Sequence, residues 1–329
     1  MRSTAPALAA LLLCAACSPS ASGSPSVPGS TAPEASAIPP TPAPTPYATM
    51  AGDLPALVIP LGGDAAPLDV VDAFGSIWVA NHHSNDVVRL DPETGAELAR
   101  INIGPMSGPG WFAVTDDAIW VTRQNGAGVT RIDPETNVVV EAQIGAQETC
   151  WAPAVALGSV WYSACDSGLM VRIDIESNDS ANVPAEGLSA PWAADDSLYA
   201  VAATGLVRLD PATSTFVPVV ACQSCGRPIG FGAGTLWLST PSGVTRVDLA
   251  SGAVVGSLPF GGLVNVTFEG DSAWGAVEGQ PEIVEIDAVT NQVIREVPLG
   301  PMPIKVLFAF GALWVTDFNS SEVWRITLD

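Results

Sequence analysis

Short apolar runs, each enclosing one aromatic residue, recur between polar turn segments at Trp78, Trp120, Trp161, Tyr199, Trp237, Trp274 and Trp314. The steps between them are 42, 41, 38, 38, 37 and 40 residues. A period near about 40 is the mark of propeller blades, and seven copies predict an all-β, seven-bladed β-propeller of four-stranded antiparallel blades. The first repeat shows the plan, with strands A to D expected from the channel outward at Leu68 to Phe74, Ile77 to Asn81, Asp86 to Leu90 and Glu97 to Ile103. The aromatic residue falls on strand B and is read as packing between neighbouring blades.

Polar punctuation repeats with the same period. Asp, two residues, Ser or Thr, then Gly, Asn or Ser stand at Asp91 to Gly95, Asp133 to Asn137, Asp174 to Asn178, Asp210 to Ser214, Asp248 to Gly252 and Asp287 to Asn291. Asp opens such a turn by accepting from backbone N–H groups ahead of it, and Gly or Asn tolerates the positive φ that closes it. The alternative is calcium, but each loop supplies few oxygens where calcium takes about six to eight.

The seventh repeat ends at its strand C, so its outer strand must come from elsewhere. Ala56 to Gly62 matches the outer strands Glu296 to Gly300 and Ser257 to Gly261. The N-terminal strand is therefore expected to pair with Glu322 to Leu328 and close the ring.

Ahead of the repeats, Arg2, an apolar run from Ala7 to Leu13 and Ala15-Ala16 before Cys17 read as an export signal over residues 1–16. The pattern resembles a bacterial lipoprotein signal, which implies lipidation of Cys17; simple secretion is the alternative. Residues 17–54 are rich in Ser, Pro, Ala and Thr and are expected to form a disordered tether reaching roughly 30 to 110 Å. The propeller is assigned to residues 55–329. The chain is thus expected outside the cytoplasm, on the membrane through its lipid.

Charge removes one class of partner. The sequence holds 12 basic and 34 acidic residues, a net charge of -22, with Lys305 the only lysine and arginines spread singly. Nucleic acid needs a basic stripe and is excluded; a small molecule or an envelope protein remains. Cys150 and Cys165, on strands A and B of blade 3, are expected directly opposite one another across a Leu157-Gly158 turn. A disulfide there would contribute about 3 kcal/mol in the chain-entropy model. Cys222 and Cys225 are read as a local disulfide.

An antiparallel meander gathers the B to C loops and the D to A connections on one face. That face should hold His82, His83, Arg123, Gln124, Glu278, Glu282, Asp317 and Asn319, with Asp69, Trp111, Asn265 and Lys305 on strand A near the channel mouth. The catalytic candidates are His82, His83, Glu278 and Asp317. Asp69, Trp111, Arg123, Asn265 and Lys305 are the ligand-binding candidates, and Asn265, Glu278 and Asp317 form a loose metal set. The two histidines are either a solvated loop pair or a metal ligand or general base, and Lys305 is expected to meet Asp69 across the seventh-to-first blade junction. No cofactor is predicted, with a divalent metal left open. No Ser-His-Asp order, phosphate-binding glycine loop or HExxH segment is present.

The run Gly75-Ser76-Ile77-Trp78-Val79-Ala80-Asn81, followed by Val87-Val88-Arg89-Leu90-Asp91-Pro92-Glu93-Thr94-Gly95, resembles the repeat of bacterial seven-bladed propellers of the YVTN or YncE type and of the virginiamycin B lyase-like group. The lyase resemblance implies metal-assisted ring opening by histidine and glutamate from late blades. Here blades 5 and 6 contain no histidine, and Glu278 is the one counterpart. Lactonase-type propellers, with a metal in the channel, are a further resemblance. The expectation is a propeller that binds a ligand or protein without catalysis, the alternative a metal-dependent lyase or lactone hydrolase.

Overall fold

The computed structural model describes residues 45–165, 167–222, 225–240 and 242–328. The expected export signal, Cys17 and the tether up to residue 44 lie outside the described residues. A hairpin, β1 (Tyr47–Ala51) and β2 (Leu54–Pro60), comes first. Blade 1 is β3 (Pro67–Ala73), β4 (Ser76–Asn81), β5 (Asp86–Leu90) and β6 (Glu97–Asn102). Blade 2 is β7 (Pro109–Val114), β8 (Ile119–Arg123), β9 (Ala127–Asp133) and the first part of β10 (Val138–Ala156). The rest of β10 opens blade 3, followed by β11 (Ser159–Ala164), β12 (Leu169–Asp174) and β13 (Ser180–Pro184). Blade 4 is β14 (Trp192–Ala194), β15 (Ser197–Ala202), β16 (Gly205–Asp210) and β17 (Thr215–Ala221), and blade 5 is β18 (Arg227–Gly232), β19 (Thr235–Thr240), β20 (Gly243–Asp248) and β21 (Ala253–Leu258). Blade 6 is β22 (Leu263–Glu269), β23 (Ser272–Val277), β24 (Glu282–Asp287) and β25 (Gln292–Pro298), and blade 7 is β26 (Pro303–Ala309), β27 (Ala312–Asp317) and β28 (Glu322–Thr327).

Hydrogen bonding groups the seven repeats into six sheets, because β10 runs unbroken from the rim of blade 2 to the channel wall of blade 3. Elsewhere Gly-Pro or Gly-Gly pairs such as Gly104-Pro105, Gly261-Gly262 and Gly300-Pro301 interrupt this connection. Ala142 to Thr149 contains only Gly145, and strand pairing continues through it with register shifts on either side of Ile144. Gly145 lies at φ 84°, and a Cβ there would strike the Tyr162 hydroxyl.

The core consists of seven apolar clusters, one at each blade junction. Trp78 packs with Phe112 and Val121, Trp120 with Val160 and Tyr162, and Trp161 with Leu198 and Ala200. Tyr199 packs with Leu236, Trp237 with Val266, Trp274 with Leu313, and Trp314 with Val70 and Ile77. The strand B aromatics are therefore mortar between blades, as expected. Each fully buried aliphatic neighbour adds about 1.5–3 kcal/mol.

The turn aspartates also do what their spacing predicts. Asp91 Oδ1 accepts from the backbone N–H of Glu93 and Thr94, Asp133 repeats the bond to Glu135 and Thr136, and Asp287 to Val289 and Thr290. The closing residues Gly95, Asn137, Asn178, Ser214, Gly252 and Asn291 all have positive φ. These hydrogen bonds to the ionised form hold the carboxyls of Asp91, Asp133, Asp174, Asp248 and Asp287 below the ordinary aspartate range.

Closure follows the expected pairing of strands, β2 lying antiparallel to β28 from Ala56 opposite Ile326 to Pro60 opposite Glu322. One boundary moves. Residues 47–51, expected to be tether, form β1, a fifth strand outside β2 with Tyr47 opposite Val58 and Ala51 opposite Leu54. A Gly52-Asp53 turn, with Gly52 at φ 59°, reverses the chain, and Ala51 and Leu54 are fully buried against the blade 6 to blade 7 cluster. Ala and Thr are common to the tether and to this strand, so composition alone blurred the boundary.

Candidate functional site

Inner strands of six blades converge on a cavity lined by Trp111, Trp151, Trp192, Arg227, Asn265 and Lys305, with Ala152, Ala190, Pro191, Pro228, Ile229 and Val264 between them. All sit at or just before the start of a strand A, so the cavity opens on the face of the B to C loops. It is small, about 60 Å³ within about 510 Å³ of atom-free space that includes the open mouth. That inner space has room for a few waters, and it opens on the wider mouth.

The channel wall has two unlike halves. Through blades 6, 7, 1 and 2 it is stitched by polar side chains. Asn265 Nδ2 donates to Val306 O at 2.7 Å and its Oδ1 accepts from Val306 N at 3.0 Å, while Thr267 Oγ1 accepts from Phe308 N at 3.0 Å. Asp69, 2% exposed, accepts from Val70 N and Phe112 N, both at 2.9 Å, and lies 3.5 Å from Lys305 Nζ. The expected Lys305 to Asp69 pair is thus present and joins blade 7 to blade 1, while Asp69 also reaches blade 2. Blades 2 to 4 instead present Trp111, Trp151 and Trp192, and blade 5 presents Arg227.

Trp151 is held in an uncommon way. It is 47% exposed at φ 66°, a left-handed conformation that costs a large side chain about 1–2 kcal/mol. A bulge between Cys150 and Ala154 produces it and corrects the expected cysteine register: Cys150 lies opposite Ser163. The disulfide to Cys165 forms diagonally, with Cα atoms 5.2 Å apart. Arg227 stacks over the Trp151 ring at 5.2 Å, and the Cys222–Cys225 disulfide, Cα atoms 5.7 Å apart, lies just ahead of Arg227 in the chain. Two disulfides therefore flank one Trp–Arg contact. Burial lowers the Arg227 guanidinium below the usual arginine range, with the charge of Glu278 opposing.

The remaining candidates are committed elsewhere. Asp317 is 0% exposed, its oxygens accepting from Ser320 N at 3.0 Å and Met302 N at 3.3 Å, which makes it a loop brace. Arg123 Nη1 donates to Ile103 O, Thr130 Oγ1 and Ala142 O, tying blade 2 together away from the cavity. Glu278 is exposed on the rim, lining a second hollow with Trp151 and Arg227. His82 and His83 meet Phe318 of blade 7, with His83 Nδ1 3.0 Å from Asp64. Burial, then the neighbouring His83, lowers the His82 pKa.

The expected face therefore divides into a histidine corner at blades 7 and 1 and an indole mouth at blades 2 to 5. The loose metal set does not fit a metal: Asn265 and Asp317 are spent on backbone groups, and Glu278 is exposed on the rim. Among the described residues no three His, Cys, Asp or Glu side chains gather as ligands. Trp151, Trp192 and Arg227 were missed from sequence. The signal was present, because Trp111, Trp151 and Trp192 are themselves 40 and 41 residues apart, a second aromatic series at the blade period.

Ring, channel and loop face define a seven-bladed β-propeller. No protein-family model and no curated protein matches the sequence. Among solved structures, virginiamycin B lyase from Staphylococcus aureus is similar over 83% of this chain and 99% of its own, with a TM-score of 0.68 and 16% identity. A catalytically inactive variant of that enzyme with quinupristin gives a TM-score of 0.69 at 15% identity, over 83% of this chain and 99% of its own. The extracellular domain of a one-component system from B. thetaiotaomicron gives 0.64 at 10% identity, over 84% of this chain and 40% of its own. At these identities the likeness is one of fold.

Proposed function

We propose that this chain is an extracytoplasmic binding propeller, tethered to the membrane through a lipid on Cys17, that takes a small ligand at the channel mouth without chemistry. The observation that carries this reading is the indole wall of Trp111, Trp151 and Trp192 beside Arg227, in a cavity whose lining among the described residues holds no acidic side chain. Apolar lining with few placed polar groups is the usual composition of a ligand site. Both disulfides suit an oxidising compartment, as does the fold's likeness to an extracellular domain. The repeat's resemblance to the YncE type is compatible, since that repeat encodes packing and turns rather than activity. Lyase chemistry is disfavoured because the two histidines stand in blade 1, away from Glu278 of blade 6.

The test is a thermal-shift panel of sugars, short peptides and small organic acids on the wild type and on Trp151→Ala. A ligand at one hundred times its Kd stabilises by about 2.7 kcal/mol; the shift should vanish in the variant. Quinupristin incubated with the protein and a divalent metal should stay cyclic on chromatography. Stoichiometric metal lost in Glu278→Ala, together with linearised quinupristin, would replace binding by catalysis.

A further inference from the structure

The basic residues of this acidic chain are almost all accounted for. Arg89, Arg172, Arg246 and Arg325 bond to neighbouring oxygens beside the strand B aromatics, and Arg131 pairs with Asp117. Arg100 holds Asp86 and Glu97, Arg123 three oxygens, Arg295 Glu285, and Lys305 Asp69. Arg208 is exposed on its blade. Arg227 is different: it is sheltered, stacked on Trp151 and, among the described residues, makes neither a hydrogen bond nor an ion pair.

Other donors around it are also unfilled. Trp192 lines the same cavity with its Nε1–H buried and, among the described residues, without a partner, and Lys305 Nζ has Asp69, 3.5 Å away, as its one ion-pair partner among those residues. The side-chain acceptors are taken, Asn265 by Val306 and Asp69 by two backbone N–H groups and Lys305. A sugar's hydroxyl donors would have to share acceptors the fold already uses. A ligand bringing acceptor oxygens meets a guanidinium fork without a partner among the described residues, and the buried, unpartnered Trp192 Nε1–H carries a cost of about 1–3 kcal/mol that such a ligand recovers. The flat indoles favour an aromatic body. One guanidinium matches a bidentate carboxylate, and a net charge of -22 penalises a monoanion less than a multiply charged phosphate.

We propose that the channel mouth binds a small aromatic carboxylate, its ring against Trp111, Trp151 and Trp192 and its carboxylate on Arg227. This rests on the channel-mouth reading above and adds the ligand's charge and shape. The probe pair is indole-3-acetate and its neutral amide, titrated calorimetrically into the wild-type protein. The acid should bind at least about tenfold more tightly, a factor equivalent to about 1.4 kcal/mol, and Arg227→Gln, checked for an unchanged circular dichroism spectrum, should close the gap to within about twofold. The wild-type comparison stands even where the variant does not fold. Equal affinity for acid and amide would overturn the carboxylate while leaving an aromatic channel site. A preference that survives Arg227→Gln and is lost in Lys305→Met would overturn the assignment to Arg227. Absence of binding by both probes would overturn the ligand class, and the channel-mouth reading falls separately only where no panel compound depends on Trp151.

Discussion

In six of the seven repeats an arginine on strand C stands directly across from the strand B aromatic: Arg89 from Trp78, Arg131 from Trp120, Arg172 from Trp161, Arg208 from Tyr199, Arg246 from Trp237 and Arg325 from Trp314. Four of these guanidinium carbons lie 4.9 to 5.8 Å from the ring centroid, within cation–π range. Blade 6 substitutes Glu285 opposite Trp274 and balances it with Arg295 and Ser272. Arg89 also donates to Ser76 Oγ, Pro134 O and Asn137 Oδ1, the last two on blade 2. Arg89→Met keeps the apolar stem but leaves those oxygens without the guanidinium, and should cost about 1–3 kcal/mol. Arg208→Met, on an exposed residue, should stay within about 0.5 kcal/mol. Urea midpoints at unchanged slope measure both; equal losses would mean the arginines act through charge alone. Arginines that look singly scattered in the sequence are thus a periodic structural set, which is why Arg227, outside that set, stands out only once the fold is known.

The strand pair β2 and β28 carries ring closure. Val58, Ile59 and Leu61 are buried, Ile59 and Leu61 in the blade 7 to blade 1 cluster and Leu54 in the adjoining one. Deleting residues 45–62 removes four buried aliphatics, roughly 6 kcal/mol or more, and should lower Tm by at least about 10 °C. Adding a peptide of residues 54–62 in trans should restore part of it. An unchanged melt would deny that the N-terminal strand closes the ring. The closing strand was legible because its apolar-Pro-apolar-Gly ending repeats those of other outer strands. The fifth strand was not, since Tyr47-Ala48-Thr49-Met50-Ala51 has the tether's small residues and shows its role only through Ala51 and Leu54 at the turn. The Cys150 register was missed for a related reason: a bulge is set by local backbone, and pairing arithmetic from a two-residue turn assumes none.

Across the whole molecule the seven junction clusters make a ring whose repeats share one job, leaving the differences between blades to carry specificity. Blades 6, 7, 1 and 2 stitch the channel wall with Asn265, Thr267, Lys305 and Asp69, while blades 2 to 5 expose indoles and a sheltered guanidinium. Repeat spacing made the ring readable. The site was less so, because Trp151 and Arg227 meet only through the bulge at Trp151 and the D to A connections beside the two disulfides. The central claim is that the ligand sits at this mouth. A crystal structure of the protein with indole-3-acetate tests it most directly: ligand density between Trp111, Trp151 and Trp192, with the carboxylate in hydrogen-bond range of Arg227, is the expected result, and density on the histidine corner or the outer blade surface with an empty mouth would contradict it.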